Sequence, residues 1–386
     1  MEITIQKIIY PGKSLGLLEN KIILTDEGIP GETVKVTALK ERKNYIEAET
    51  AKIIIPSPQR AAPRCGHYRS CSPYQYIDYK AQLAIKESQL KEIFPDTSIN
   101  VFPSPEIWGY RNKIKLNIIW ENRKAGLAYH VPESGDRFVQ IDSCDLVSEN
   151  VNRLLASFIE TVNKENLDFI KTVEVRESYS TKEMMFTVHP AYKFEKIPGR
   201  PYIEENISGK TFRIGPDSFF QINVPMLQVV LKEMQKSIGP DRKEKISDLY
   251  CGIGTFGICL SEYAKEVIGI ESAHGNISFL KSNMKLNEIQ NFKLYEGSCE
   301  RIFPSLMTSN IDTLILDPPR RGMDNMLCQN IILSSIKKIL YLSCNPTTLS
   351  RDLKIMSASY AIKNLCLFDF FPQTPHIETL AILEMR

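Results

Sequence analysis

The chain has 386 residues, of which 43% are hydrophobic and 24% charged, and its formal net charge is +2. This length predicts two or three domains, while so mild a charge does not by itself indicate a nucleic-acid or membrane partner. The sequence lacks an apolar run of about 18 residues and a basic, apolar leader, so we expect a cytoplasmic protein without a membrane span. No obligate protein partner is implied. In a reducing compartment, the nine cysteines are expected to be ligands, nucleophiles or core residues rather than disulfides.

Residues 1–56 are predicted to form a small β-barrel. Short segments that alternate apolar and polar residues lie between glycine-containing turns, which is typical of strands. The strand candidates are Ile3–Ile5, Lys21–Leu24, Thr33–Val36 and Ile46–Ala48. Small barrels of this kind often bind single-stranded nucleic acid. Three prolines between residues 56 and 63 mark a linker.

Residues 60–210 are predicted to form an α+β middle domain. Helices are expected near Tyr79–Ile93 and Val151–Asn163. Strands are expected at Lys113–Trp120, Thr172–Arg176 and Met184–His189. The segment Tyr110–Lys115 places cations around a strand start, and we interpret it as an RNA contact or a solvated strand face.

From residue 211 to residue 386 the pattern changes to alternating strands and helices. Seven strands are predicted, at Ile246–Leu249, Glu266–Ile270, Lys293–Tyr295, Thr313–Leu316, Ile339–Leu342, Asn364–Phe368 and Thr379–Leu383. Such alternation indicates an α/β domain with a Rossmann-like, largely parallel sheet. Ligands of these sheets bind at the carboxyl ends of the strands.

The first strand of this domain leads into a glycine-containing loop, Asp248–Gly257. Gly252 and Gly254 permit close approach of the backbone to a ligand at the start of a helix. Glu271 ends the second strand, where a carboxylate can accept hydrogen bonds from ribose hydroxyls. The loop predicts a nucleotide cofactor and leaves its identity open, because a dinucleotide-binding fold uses the same parts.

Two polar motifs follow the fourth and fifth strands. Asp317 precedes Pro318-Pro319-Arg320, and Cys344 stands between Ser343 and Asn345. A cysteine beyond the end of an apolar strand is suited to act as a nucleophile, whereas buried cysteines are inert. The nearby carboxylate and cofactor loop favour the nucleophile for Cys344.

Taken together, these motifs resemble the RNA uridine-5 methyltransferase family over nearly the whole chain. The matching segments, in the order of the family, are Phe219–Asn223, Asp248–Gly254, Asp317–Arg320, Ser343–Asp352 and Phe371–Glu378. The N-terminal barrel also resembles the RNA-binding TRAM domain of many members. The resemblance implies a class I fold that binds S-adenosylmethionine.

The resemblance further implies the roles of individual residues. Cys344 corresponds to the nucleophile, Glu378 to the general base and Phe219 to the aromatic that stacks on the uracil. The residues expected around the cofactor are Gln221, Tyr250, Gly252, Gly254, Thr255, Glu271 and Asp317. Of these, Gln221 and Asp317 are also expected near the target base.

Many members of the family bind a [4Fe–4S] cluster through four cysteines. Cys65, Cys71 and Cys144 match three of these ligands, while Tyr74 stands at the fourth position. Three alternatives remain: a cluster held by three cysteines, a lost cluster, or a zinc site completed by His67.

The expected reaction is methyl transfer to carbon 5 of a uridine through a cysteine adduct at carbon 6 of a flipped or single-stranded base. Large-subunit (23S) ribosomal RNA is the favoured target and transfer RNA the second. The alternatives are a non-catalytic RNA-binding protein with a degenerate methyltransferase fold and a base-amino methyltransferase.

Overall fold

A computed structural model describes residues 1–131, 137–194 and 200–386. Contacts divide these residues into two units. The first unit contains Met1–Asp96 and Phe371–Ile377, and the second contains Thr97–Phe370 and Glu378–Arg386. The domain boundaries expected near residues 60 and 210 stay predictions.

The first unit begins with a closed barrel of five strands, which confirms the predicted barrel. The strands are β1 (Glu2–Ile9), β2 (Lys13–Leu18), β3 (Lys21–Thr25), β4 (Thr33–Glu41) and β5 (Tyr45–Ile55). They follow one another around the barrel in the order β1-β2-β3-β5-β4. Alternate residues such as Ile3, Ile5, Val34 and Val36 point inward and form the barrel core, as the twofold period of a strand requires.

Two helices follow the barrel in the first unit, α1 (Tyr68–Cys71) and α2 (Tyr79–Ile93). The Asp78 side chain caps α2 by accepting a hydrogen bond from the backbone N–H of Lys80. A buried cluster that contains Ile29, Tyr74 and Tyr76 joins Ile8 of β1 to Ala81 and Ile85 of α2. The range of α2 agrees with the predicted helix.

The second unit contains a five-stranded antiparallel sheet with the order β11-β10-β7-β8-β9. Its strands are β7 (Lys113–Glu121), β8 (Lys124–His130), β9 (Phe138–Ile141), β10 (Thr172–Glu177) and β11 (Met184–His189), after β6 (Ile99–Phe102) in the chain. Helix α3 (Glu149–Glu165) packs on this sheet, and β12 (Ile203–Ile207) pairs with β13 (Lys210–Ile214). The three strands and the helix predicted here are confirmed, whereas β8, β9, β12 and β13 had no prediction.

The same unit contains an eight-stranded sheet, which confirms the predicted Rossmann-like fold. It consists of β6 and of β14 (Lys245–Leu249), β15 (Glu266–Glu271), β16 (Phe292–Glu296), β17 (Thr313–Leu316), β18 (Lys338–Ser343), β19 (Tyr360–Phe368) and β20 (Glu378–Met385). The strand order is β16-β15-β14-β17-β18-β20-β19-β6. The first five strands in this order run parallel, and β20 runs antiparallel to both of its neighbours.

Helices connect most strands of this sheet. They are α4 (Val224–Ile238), α5 (Thr255–Leu260), α6 (His274–Leu286), α7 (Cys299–Ile302), α8 (Asn325–Leu333) and α9 (Pro346–Met356), with short 3₁₀ helices at Ser261–Tyr263 and Phe303–Leu306. Because β14 to β18 are parallel, their carboxyl ends share one edge of the sheet, and the amino end of antiparallel β20 lies at that edge too. Among the described residues, no helix has the length and apolar character that a bilayer crossing needs.

Candidate active site

The loop after β14 has an unusual backbone conformation. Tyr250, Gly252 and Gly254 have φ angles of 62°, 56° and 90°, in the left-handed region that glycine adopts at little cost. A Cβ atom placed on Gly252 would meet no atom within 4 Å, so the space beside this residue is open. The loop therefore offers backbone to a ligand at the start of α5, whose first residue is Thr255.

Glu271, at the end of β15, faces this loop. Its Oε2 atom accepts a hydrogen bond from the N–H of Gly252 at 2.9 Å, and its Oε1 atom accepts from Ser272 and Ala273 at 2.8 and 2.6 Å. Three of roughly four lone-pair positions are thus used. The remaining position on Oε2 can accept a hydrogen bond from a ribose hydroxyl, so the loop and Glu271 fit an adenosine cofactor.

Beneath the loop, Asp248 is completely buried in β14. Burial raises the pKa of this carboxyl to about 8, against the lowering effect of a 2.9 Å hydrogen bond from the N–H of Gly257. Asp248 is therefore largely protonated at neutral pH. Its side chain supports the loop by accepting the hydrogen bond from Gly257. The sequence motif contains this residue but gives no sign of its protonation.

The second unit also contains a cavity of about 380 Å³. Its lining includes Glu300, Arg321 and Arg351. The Tyr250 hydroxyl donates a hydrogen bond to a Glu300 carboxylate oxygen at 3.1 Å. Neither Glu300 nor the cavity was among the sequence predictions, because Glu300 lies in the short helix α7 without a recognisable motif.

Asp317 and Gln221 come together at the end of β17. Gln221 Nε2 donates a hydrogen bond to Asp317 Oδ2 at 3.3 Å. Burial raises the pKa of Asp317 to about 7, although this hydrogen bond lowers it. Two residues before Gln221, the ring of Phe219 is 65% exposed, which leaves a large apolar face open to a ligand.

Cys344 directly follows β18, and Glu378 is the first residue of the adjacent strand β20. The last pair of these two strands is Ser343 with Thr379, so Cys344 and Glu378 both adjoin this pair at the same edge of the sheet. Burial, and secondarily the Glu378 carboxylate, raise the pKa of Cys344 to about 11. Burial also raises the pKa of Glu378 well above its ordinary value, and Asp317 adds to this effect.

The cysteines predicted to bind metal lie in different surroundings. Cys65 accepts a hydrogen bond from Gln75 Nε2 at 3.3 Å, and Cys71 Sγ lies 3.2 Å from the hydroxyl of Ser72. Cys144 is buried and accepts a hydrogen bond from the Tyr129 hydroxyl at 3.3 Å.

Tyr74 does not offer the missing fourth ligand. It is 1% exposed, and its hydroxyl accepts a hydrogen bond from Gln89 Nε2 at 3.3 Å. Within the described parts of the chain, no group of three or more histidine, cysteine, aspartate or glutamate residues is placed to hold a metal ion. Over the described residues, the structure therefore does not support the cluster prediction.

The chain is similar to known RNA methyltransferases. The family model for tRNA (uracil-5-)-methyltransferase matches residues 197–386. An uncharacterized RNA methyltransferase of Clostridium acetobutylicum is 27% identical, and the match covers 100% of this chain and 97% of that protein. An uncharacterized RNA methyltransferase of a Synechocystis species is 28% identical, and the match covers 100% of this chain and 95% of that protein. The crystal structure of a Pyrococcus abyssi tRNA (uracil-54, C5)-methyltransferase with S-adenosyl-L-homocysteine has a TM-score of 0.80 and 26% identity, covering 99% of both chains.

The Rossmann-like sheet, with a glycine-containing loop after its first strand and an acidic residue after its second, together with these matches places the chain in the class I, S-adenosylmethionine-dependent methyltransferases. Within that class, the chain belongs to the RNA uracil-5-methyltransferase family. It is therefore an enzyme that methylates carbon 5 of uracil in RNA.

Proposed function

We propose that this enzyme methylates uridine through a covalent bond between Cys344 and carbon 6 of the base, with Glu378 as the general base. The observation that carries the proposal is that Cys344 and Glu378 adjoin the Ser343–Thr379 pair of β18 and β20, close enough for the Glu378 carboxylate to raise the pKa of Cys344. A nucleophile on one side of the ring and a proton acceptor near it are the two groups that this chemistry requires.

The first step activates carbon 5, which is by itself a poor nucleophile. The Cys344 thiol loses its proton to solvent, and its sulfur adds to carbon 6 of the uracil. The electron pair of the carbon 5–carbon 6 double bond moves towards the oxygen on carbon 4 and gives an enolate. The ring of Phe219 is exposed and suited to stack on the base during this step.

The loop after β14 and Glu271 would hold S-adenosylmethionine. When bound, its sulfonium would supply a methyl group that bonds to carbon 5 as the sulfur–methyl bond breaks and the sulfur leaves as a neutral thioether. The ionised Glu378 carboxylate then removes the proton from carbon 5. The electron pair of that C–H bond restores the double bond and expels the Cys344 thiolate. A carboxylate whose pKa is raised by burial is a stronger base than one in water, which suits Glu378 to this step.

The mechanism is tested with RNA that contains 5-fluorouridine, because fluorine on carbon 5 cannot be removed as a proton. We expect a complex that survives denaturing electrophoresis with the wild type and is absent with Cys344→Ser. Glu378→Gln should accumulate the adduct on ordinary RNA. Cys366→Ala, which changes another cysteine in the same sheet, serves as the control and should still form the complex. A wild-type enzyme that methylates RNA without forming the complex would refute the covalent route.

Two RNA classes are proposed as substrates. The resemblance of the barrel to a TRAM domain, together with the cysteines Cys65, Cys71 and Cys144 at cluster-type positions, supports ribosomal RNA. The likeness to a tRNA (uracil-54, C5)-methyltransferase over 99% of both chains supports transfer RNA. Mass mapping of 5-methyluridine in both RNA fractions from a deletion strain distinguishes them, since the methyl group should vanish from one fraction only. Purified enzyme without methyltransferase activity on either RNA would favour a binding protein instead.

A further inference from the structure

Arg176, the penultimate residue of β10, is an unusual buried cation. It is 2% exposed, and its Nη2 atom donates a hydrogen bond to the carbonyl oxygen of Ser218 at 3.0 Å. The Nε and Nη1 atoms have no hydrogen-bond partner among the described residues. Glu174 on the same strand forms its ion pair with Lys113 at 2.6 Å. The guanidinium is thus held by one carbonyl group.

Asn112 lies beside Arg176, on the neighbouring chain segment. Its carbonyl oxygen accepts a hydrogen bond from the N–H of Glu177 at 2.8 Å. The Asn112 side chain is buried, and its Nδ2 atom donates to the carbonyl oxygen of Gln221 at 3.0 Å. Arg176 and Asn112 therefore hold the two ends of the segment Ser218–Gln221.

This segment carries the exposed ring of Phe219 and the side chain of Gln221, which reaches Asp317. A large ring that projects into solvent can be kept in one place only if the backbone under it is anchored. Burying a guanidinium with most of its donors unpaired is unfavourable, and unfavourable arrangements of this kind concentrate at functional sites. An apolar residue of similar size at position 176 would avoid that cost and lose the anchor.

We propose that Arg176 and Asn112 are positioning residues that fix the Ser218–Gln221 segment against the target base. This inference rests on the proposed function, in which Phe219 stacks on the uracil. The first test is Arg176→Met, measured for kcat and KM with RNA and for thermal unfolding. We expect kcat/KM to fall about 10- to 100-fold, because small misplacements of a substrate-positioning group have effects of that size.

The unfolding temperature of Arg176→Met should equal or exceed that of the wild type, since apolar replacement of a buried charge is often neutral or stabilising. Arg213→Met is the matched control, because Arg213 on β13 pairs with Glu204 at 3.0 Å. It should leave kcat/KM unchanged. If kcat/KM and the unfolding temperature of Arg176→Met both fall, the proposal is overturned and Arg176 has a structural role.

A double-mutant cycle with Phe219→Ala gives the second test. If Arg176 acts by placing Phe219, then Arg176→Met should lower kcat/KM by less than about 2-fold in the Phe219→Ala background. Independent, multiplicative effects would overturn the proposal. Should the methionine variant fail to fold, Arg176→Lys enters the same cycle, with a smaller loss expected. The 5-fluorouridine complex of the wild type tests the proposed function separately, so the two failures are distinguishable.

Discussion

Cys344 follows Ser343 and Glu378 precedes Thr379, and Ser343–Thr379 is the last pair in the register of β18 and β20. The negative charge of Glu378 is one reason, after burial, why the pKa of Cys344 is raised to about 11. In the ligand-free enzyme the nucleophile is therefore stored as a thiol. Of the two groups that must act in sequence, Glu378 therefore helps to keep Cys344 protonated.

This relationship predicts the pH dependence of Cys344 reactivity. Because the thiolate is the reactive form, alkylation by iodoacetamide should accelerate about tenfold per pH unit from neutral pH to near the raised pKa. Glu378→Gln removes a nearby negative charge and should move the profile to lower pH. Peptide mass spectrometry follows Cys344 specifically. Glu384→Gln, on the exposed end of β20, should leave the profile in place. A wild-type midpoint near that of a free cysteine would contradict the prediction.

The buried Asp248 should make the free energy of unfolding depend on pH. Its pKa in the folded state is raised to about 8, so the folded state binds the proton more tightly than the unfolded state does. This contribution to stability is present below the unfolded pKa of 3.8 and is lost as pH rises through about 8. Asp248→Asn can still accept the hydrogen bond from Gly257 and has no charge to bury.

We therefore expect Asp248→Asn to exceed the wild type in free energy of unfolding by about 2 kcal/mol at alkaline pH. Urea denaturation at several pH values measures this difference, which should grow from weakly acidic to alkaline solution. A variant that is less stable than the wild type in alkaline solution would show that Asp248 is needed as a carboxylate.

The Arg60 ion pairs in the first unit should give the free energy of unfolding a pH dependence opposite to that of Asp248. Its guanidinium binds Glu32 at 2.6 Å and Glu27 at 2.7 Å, and both carboxylates are almost completely buried. Burial would raise the pKa of Glu32, but hydrogen bonds from Arg60 and from the backbone of Ser57 and Ile29 lower it overall. The stabilisation is present above pH 4.5 and is lost as pH falls through the folded pKa.

Arg60→Met should accordingly lower the free energy of unfolding by about 3 kcal/mol at neutral pH, because it leaves buried carboxylates unpaired. The deficit should shrink in acid, and chemical denaturation at neutral and acidic pH measures both values. Arg42→Met breaks the exposed pair with Glu47 and should change stability little. Equal losses in the two variants would mean that burial of the Arg60 network is unimportant.

The metal content is a fourth prediction. Since buried Tyr74 stands at the fourth ligand position and contacts Gln89, we expect no stoichiometric iron or sulfide in protein purified without oxygen. Elemental and sulfide analysis measures both. A brown protein with equal amounts of iron and sulfide would restore the cluster that the sequence suggested.

The strands of the catalytic domain could be predicted because they are apolar runs that lie between turns. The carboxyl ends of these strands also indicate where ligands bind. Arg176 could not be recognised in the same way. In the alternating segment Thr172–Glu177, Val173 and Val175 occupy the inner face and Arg176 should point to solvent. The segment Ser218–Gln221 covers that outer face, and a contact between positions so far apart in sequence leaves no local pattern.

Strand β6 has a consequence for anyone who shortens this protein. It pairs in parallel with β19, and the ring of Phe102 stacks on Phe368 with centroids 4.7 Å apart. A fragment that starts at residue 211 would keep every predicted catalytic group but uncover the hydrogen-bonding groups of β19. Exposed strand edges recruit other chains, so such a fragment should self-associate unless Ile99–Phe102 is supplied with it.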